Sequence, residues 1–206
     1  MPEQSGQRRM PRARRRAQLL MVATSHFGSR GYHATSMDDI AAGAGVTKPV
    51  LYQHFTSKEE LYLAVVADLG EALQHAIAEV ADLPGHSTVE RAERGVKAFV
   101  DLVARPGATF KLFFGQDSIS PRIVEAVDSI LRGCAQQIAD MLTTHRVIPT
   151  ADAQVLGSTL ATLVQAAAAA YSTDDDSHRE HAANVVASFI AHGLMAYPAR
   201  DPNRKI

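Results

Sequence analysis

Apolar residues in this chain recur at three- and four-residue spacing rather than in alternation. The clearest case is Ile123, Val127, Ile130, Leu131, Cys134, Ile138, Met141 and Leu142, which fall on one stripe of a helix. Alternating β-branched runs and Asn-Gly hairpin turns are missing, so the pattern predicts no sheet. Helix starts share one grammar. Ser57-x-x-Glu60, Ser87-x-x-Glu90 and Ser177-x-x-Glu180 each read as a capping box, the serine oxygen accepting from a free amide while the glutamate reaches back. Pro84-Gly85 and Pro106-Gly107 end helices, and Ser120-Pro121 sets a cap before a proline in the first turn. Nine helices follow, at about 14–30, 36–43, 47–53, 58–82, 87–104, 108–115, 121–146, 151–171 and 178–196. The fold class is therefore all-α, with no internal repeat.

The second and third helices are short and joined by a tight turn, Ile40-Ala-Ala-Gly-Ala-Gly-Val-Thr-Lys-Pro-Val-Leu-Tyr-Gln-His-Phe55, which is helix-turn-helix spacing. Gly43 and Gly45 can take the left-handed backbone of a sharp turn, and Val46, Leu51 and Phe55 point to a core. Thr47 caps the second of the two. That leaves Lys48, Pro49, Val50, Tyr52 and Gln53 on an exposed face whose positive end can enter a major groove.

Charge supports this once it is mapped. The 206 residues carry a formal net charge of -1, which taken alone argues against a polyanionic partner. Yet the first 58 residues hold nine basic and three acidic groups, and the remainder twelve basic and nineteen acidic, so a basic module is joined to an acidic body. A sequence-neutral nucleoid protein would spread its basic residues more widely. Arg8, Arg9, Arg12, Arg14, Arg15 and Arg16 precede any apolar pattern and read either as a solvated tail or as an arm for the minor groove or flanking phosphates. Leu19 to Val22 is too short an apolar stretch for a secretory signal. Ala153 to Thr173 is uncharged and long enough to span a bilayer, but its Ala, Gly, Ser, Thr and Gln content suits a buried or interfacial helix. At 46% hydrophobic and 21% charged residues the composition is globular. The single cysteine excludes an intramolecular disulfide framework and a multi-cysteine zinc site, and points to the cytoplasm.

Gly31-Tyr-His-Ala-Thr-Ser-Met-Asp-Asp-Ile-Ala and Ala44-Gly-Val-Thr-Lys-Pro-Val-Leu-Tyr-Gln-His-Phe-Thr-Ser-Lys-Glu-Glu-Leu61 resemble the TetR family of bacterial one-component regulators, across about a quarter of the chain. The resemblance implies a nine-helix dimer. A flexible arginine-rich arm would occupy 1–13, a helix-turn-helix unit 14–58, and an effector-binding and dimerisation body 59–206. It further implies that Thr35 and Tyr52 touch phosphates, Thr47, Lys48, Pro49 and Val50 lie at base edges, and His54 and Lys58 clamp the backbone, with Ser36, Arg14 and Arg15 nearby. Plain alternatives remain for several: Thr35 and Ser36 as caps, Tyr52 as packing, His54 as surface. Lys58 differs, since a lysine in a first turn opposes the helix dipole and calls for an external anion.

In the body, such regulators keep an apolar effector pocket, here expected from Phe99, Val103, Phe110, Phe113, Phe114, Val127, Ile130, Leu131, Cys134, Leu160 and Val164. A plain core is the competing reading. The longer match through Glu60-Leu-Tyr-Leu-Ala-Val65, with Phe-Lys-Leu-Phe-Phe at 110–114, is similar to actinobacterial regulators of fatty-acid synthesis that sense long-chain acyl-CoA. The last two helices are expected to pair with a symmetry mate through Gly157, Ala161, Ala168, Val186, Phe189, Ile190 and Leu194.

Enzymatic chemistry is thinly supported. His178-Arg-Glu-His181 beside Asp174, Asp175 and Asp176 departs from His-Glu-x-x-His, and Cys134 lacks a cationic neighbour in sequence. No metal or cofactor is expected. The partners are double-stranded operator DNA, a mostly hydrophobic small molecule and a second copy, without a membrane. The action is repression, with activation of lipid-synthesis genes as the alternative, and a helical enzyme or metal-binding protein is the rival class.

Overall fold

A computed structural model of the chain describes residues 10–83, 87–103, 120–171 and 176–200. Within them eight helices run in order: α1 (Arg12–Ala34), α2 (Met37–Gly43), α3 (Lys48–Tyr52), α4 (Lys58–Ala81), α5 (Thr88–Val103), α6 (Pro121–His145), α7 (Thr150–Tyr171) and α8 (Asp176–Leu194). The helix expected near 108–115 lies outside the described residues. Among those described, β pairing is limited to one antiparallel bridge, Arg146 with Ala199, flanked by Val147 N to Pro198 O and Arg200 N to His145 O, each 2.9 Å.

Helix ends follow local chemistry, with some changes from the expected grammar. Ser87 and Glu90 form a full capping box, at 3.2 and 2.7 Å. Ser57 Oγ accepts from Glu60 N at 3.0 Å, but the Glu60 carboxylate reaches Thr56 N at 2.6 Å instead of Ser57. Ser177 lies within a helix that already starts at Asp176, so it is not the cap. Ser120 occupies the N-cap of α6 without capping it, because its hydroxyl donates to the Glu59 carboxylate on α4. A further box starts α2 at Ser36, for which a capping role was the plain alternative: Asp39 N donates to Ser36 Oγ at 3.1 Å and Ser36 N to Asp39 Oδ2 at 2.9 Å.

Two main cores form. The first joins α1, α2, α3 and the first half of α4, with Phe27, Ile40, Leu51, Phe55, Leu61 and Val65 essentially solvent-free, and it also takes in Ile123 and Val127 from the start of α6. Inside it Phe27 meets Tyr62 edge-on at 4.9 Å, and Tyr32 meets Tyr62 at 5.1 Å. Burial, with the neighbouring Tyr32, pushes the Tyr62 phenol up to about 12. The second core joins α5, α6, α7 and α8 around Val96, Leu142, Ile148, Ala187 and Ile190. A small cluster of Leu73, Leu102 and Cys134 lies among α4, α5 and α6.

Two close crossings fix the helices. At Gly70 of α4 an added Cβ would stand 2.8 Å from Ile130 Cδ1 of α6, and at Gly157 of α7 it would overlap Ala135 O and crowd Ala139 of α6. Among the described residues α4, not the Ala-rich segment after Ala153, is long and apolar enough to cross a membrane by length and composition. Its Leu61, Val65, Val66 and Leu69 are buried in the first core.

Candidate nucleic-acid interface

The turn between α2 and α3 is a Schellman motif. Val46 N donates to Ala41 O and Gly45 N to Ala42 O, each at 3.0 Å, with Gly45 at φ 64°. Gly43, expected to share that conformation, is instead the last residue of α2, and its role is closeness: a Cβ there would meet His26 Nε2 at 2.7 Å. Gln18 of α1 donates from Nε2 to Ala44 O at 3.0 Å, which ties the turn to α1.

Thr47 stands at the N-cap of α3 in extended backbone, yet its side chain makes no capping bond. Its hydroxyl remains exposed beside Lys48 and Pro49, with Val50 half-buried and Leu51 anchoring the helix in the core. Tyr52 is 41% exposed. These residues form the outward face that the spacing called for. Lys48 Nζ is 2.9 Å from Asp38 Oδ2 of α2.

Two expected phosphate contacts turn inward. Thr35 is 1% exposed, and its hydroxyl donates to Gly31 O at 2.8 Å and lies 3.1 Å from His26 O, so it closes the end of α1 and offers nothing to DNA. Lys58 folds back across the first core, its Nζ 4.4 Å from the Tyr32 ring centroid and 3.4 Å from His33 O. Burial lowers its pKa. In place of the external anion expected from the helix dipole stand a carbonyl and a ring. Ser36 remains exposed, with its hydroxyl donating to Asp39 Oδ2 at 2.6 Å.

The arginine run is not a free arm throughout. Arg8 and Arg9 lie outside the described residues, but Arg12, Arg14, Arg15 and Arg16 form the first turns of α1, with no acidic residue in the first turn and no side-chain cap. Such a helix start is strongly electropositive. Arg15 Nη1 donates to Gln18 Oε1 at 2.6 Å, and Arg16 lies 5.1 Å over the Phe55 ring. His54, at the end of α3, joins this cluster: burial first, then Arg12, Arg15 and Arg16, lower its pKa. Arg12, expected in a flexible arm ending at residue 13, is instead the first residue of α1. The signal was present in the helical spacing of the run, had α1 been started two residues earlier.

A second feature lies in the body, a partly open apolar cavity of about 140 Å³ lined by α4 to α8. Phe99, Leu131, Cys134, Leu160 and Val164 line it as expected. Val127 does not: it belongs to the first core, and Ile130 sits at the Gly70 crossing. Phe110, Phe113, Phe114 and the Val103 side chain lie outside the described residues. Sequence reasoning missed the contribution of α4, through Leu73, Ile77 and Val80, although their spacing is helical. At one end Arg91 Nη1 donates to Val80 O and Ala81 O at 3.2 Å, and His145 Nε2 is 3.0 Å from Ala81 O, so both side chains hold the last carbonyls of α4. Burial pushes the Cys134 thiol up to about 11, which makes it inert.

The expected pairing face needs correction. Gly157 packs on α6, Ala161 lines the cavity, and Ile190 and Leu194 are buried in the chain's own core and line the cavity too. Val186 packs partly on the same core, and the Ala168 side chain is outside the described residues. Of that set Phe189 is exposed, at 72%, joined by Val155 and Val185. Among the described residues no group of three or more His, Cys, Asp or Glu side chains could hold a metal, and Asp174 and Asp175 lie outside them.

Comparison with known proteins agrees with this arrangement. The sequence profile of bacterial regulatory proteins of the tetR family matches residues 19–65. The HTH-type transcriptional activator FasR of Mycolicibacterium smegmatis is 39% identical over 140 residues, 66% of this chain and 62% of that protein, so the match spans less than two thirds of its length. An uncharacterized HTH-type transcriptional regulator of Bacillus subtilis, YhgD, is 30% identical over 142 residues, covering 66% of this chain and 73% of its own. The crystal structure of a TetR-like transcriptional regulator from Rhodococcus sp. RHA1 superposes with a TM-score of 0.71 at 28% identity, covering 91% of this chain and 99% of that one.

Proposed function

The chain belongs to the TetR family of bacterial transcriptional regulators, DNA-binding proteins and not enzymes, and from that premise we propose that it reads a palindromic operator as a two-fold dimer and releases or reshapes that grip when an apolar effector fills the cavity. The observation that carries the DNA reading is the outward face of α3, Thr47, Lys48, Pro49 and Tyr52, flanked by His54 and the electropositive start of α1. Phosphates would bind that helix start, and base edges the α3 face. A dimer would set two such faces about 34 Å apart. Exposed Val155, Val185 and Phe189 supply apolar surface for the dimer on α7 and α8. A cytoplasmic place on the nucleoid follows from this reading.

The cavity suits a mostly apolar ligand. An apolar cavity of ~150 Å³ admits a benzene-sized guest, so the 140 Å³ space takes a compact molecule or part of an acyl chain. A long-chain acyl-CoA exceeds that space, so it would extend through the open side of the cavity or part the surrounding helices, and parting them is what signalling requires. The cavity is bounded by the second half of α4 and of α6, while the first halves of both, through Leu61, Val65, Ile123 and Val127, sit in the DNA-side core. The two helices cross at Gly70 and Ile130. Ligand wedged beyond that crossing would tilt α4 and alter the spacing of the recognition helices, and can do so only through its different affinities for the two spacings.

Activation is favoured over repression by one finding, the name of the 39% identical relative. Native mass spectrometry of the purified dimer tests the effector: a co-purifying acyl compound supports it, and DNA affinity that no bound apolar ligand alters overturns it. Lys48→Ala with Tyr52→Ala should abolish binding to a duplex selected from a random library while leaving the dimer intact. Persistent gel shifts would remove α3 from the groove.

A further inference from the structure

Asp38 stands in the first turn of α2, and Lys48 opens α3, on the two sides of the turn. Their side chains meet at 2.9 Å, with 66% of the Asp38 side chain and 51% of the Lys48 side chain exposed. An ion pair so open to water adds little to folding. The turn does not need it either, since the Schellman bonds and Gly45 already hold it, and Asp39 with Ser36 supplies the cap of α2. A carboxylate at the rim of a DNA-reading face, on the other hand, repels every phosphate that approaches. Asp38 also complements the dipole at the start of α2, worth about 0.3–1 kcal/mol, but that needs no partner on α3, so its reach to Lys48 calls for a further reason.

Neighbouring charges narrow the reason. Asp39 is occupied by Ser36 and lies 4.0 Å from Arg30, and Lys58 is turned toward Tyr32 and His33. Lys48 is thus the cation at the tip of α3, and it arrives already paired. An ammonium has three donors, so Lys48 can keep one on Asp38 and aim the others at acceptor atoms of base edges in the major groove. A phosphate drawn to that ammonium also approaches the paired carboxylate, so contact with arbitrary DNA carries a charge repulsion that the neutral acceptors of base edges do not.

We propose that Asp38 is a specificity-determining residue that acts through Lys48, holding its ammonium for base edges and penalising its use on phosphates. This rests on the reading of α3 as the groove helix. Removing the charge should raise affinity for unspecific DNA, strengthen its salt dependence and lower the ratio between specific and unspecific binding.

The test uses the full chain, wild type and Asp38→Asn, Asp38→Glu, Lys48→Ala and the D38N/K48A double variant. Each is titrated across a salt series with two duplexes, one recovered by selection from a random library with the wild type and a scrambled one of equal composition. Thermal melts confirm folding. D38N should bind the scrambled duplex about five- to tenfold more tightly, with its logarithmic salt slope steeper by about 0.9, the value for one added phosphate contact. Affinity for the selected duplex should stay level or fall, D38E should keep the wild-type ratio, and the D38N effect should largely vanish once Lys48 is absent. A ratio unchanged within twofold, a parallel gain on both duplexes, or an equal D38N effect in the K48A background overturns the role of Asp38. If K48A itself leaves binding to the selected duplex intact, it is instead the placement of α3 that fails.

Discussion

His54 sits where the end of α3 meets the start of α1, and its depressed pKa has consequences of opposite sign for folding and for binding. A histidine whose folded value lies below the ordinary 6.5 binds fewer protons folded than unfolded, so its contribution to stability declines as pH falls through 6.5 toward the folded value. A phosphate oxygen placed beside it favours the imidazolium. DNA binding should then take up a proton, and affinity should rise as pH is lowered from about 8 to 6; His54→Gln should flatten that profile, measured by anisotropy at fixed salt, and an unchanged slope would show that His54 meets no phosphate. Thr35 predicts the reverse pattern. Thr35→Val strips a donor from the carbonyls of His26 and Gly31 and should cost about 1–2 kcal/mol in denaturant unfolding, with the DNA salt slope untouched. Cys134 is the chain's sole cysteine and lines the cavity, so it is a built-in reporter. At pH 8 its labelling by a thiol reagent should be at least about 100-fold slower than for a free thiol, whose pKa is about 8.5, given a value pushed up to about 11.

At the scale of helices, the two glycine crossings should behave differently on substitution. Gly157→Ala drives a methyl into the backbone of α6 and should lower stability by about 2–3 kcal/mol. Gly70→Ala crowds Ile130 at Cδ1, Cγ2 and Cγ1 together, so that β-branched side chain must move as a whole, without a backbone clash; it should lower stability by about 1 kcal/mol and change how strongly an apolar ligand alters DNA affinity, a coupling read by titrating both. Equal coupling in wild type and G70A would remove this crossing from the pathway. The helices themselves were open to sequence reasoning, because a three-and-four period and a serine cap act within a few residues. What a stripe packs against was not. Periodicity fixes the side of α6 that is apolar, but Ile123 and Val127 meet the DNA-side core while Leu131, Cys134 and Ile138, on the same side, meet the cavity. Ile190 and Leu194 show the same ambiguity on α8, since an apolar face serves a partner chain and the chain's own core equally well. Lys58 misled for a related reason: the dipole argument is local, and the carbonyl of His33 that answers it lies twenty-five residues away.

For the molecule as a whole, the near-neutral net charge is the sum of a basic DNA side and an acidic body. Such a distribution would orient the protein on a polyanion and keep the body off it. The dimer is expected on the surface that the single chain leaves apolar. Phe189→Glu with Val185→Glu should give a monomer by light scattering, and should weaken binding to a palindromic duplex by more than about 100-fold, because the second half-site no longer adds its contacts at high effective concentration. A dimer surviving both changes would place the pairing face elsewhere.

The shared core beneath the DNA-reading helices also bears on modularity. Regulators of this kind invite transplantation, a recognition unit from one joined to a sensor from another, and the natural seam would be cut at the start of α4. Here that seam runs through a single packed interior, because Ile123 and Val127 complete the floor under α1 and α4. A chimera that carries the first 58 residues alone would inherit a unit with an unfilled floor; one that brings along the first half of α4 and the opening turns of α6 would keep its parent's packing, and with it the parent's choice of DNA.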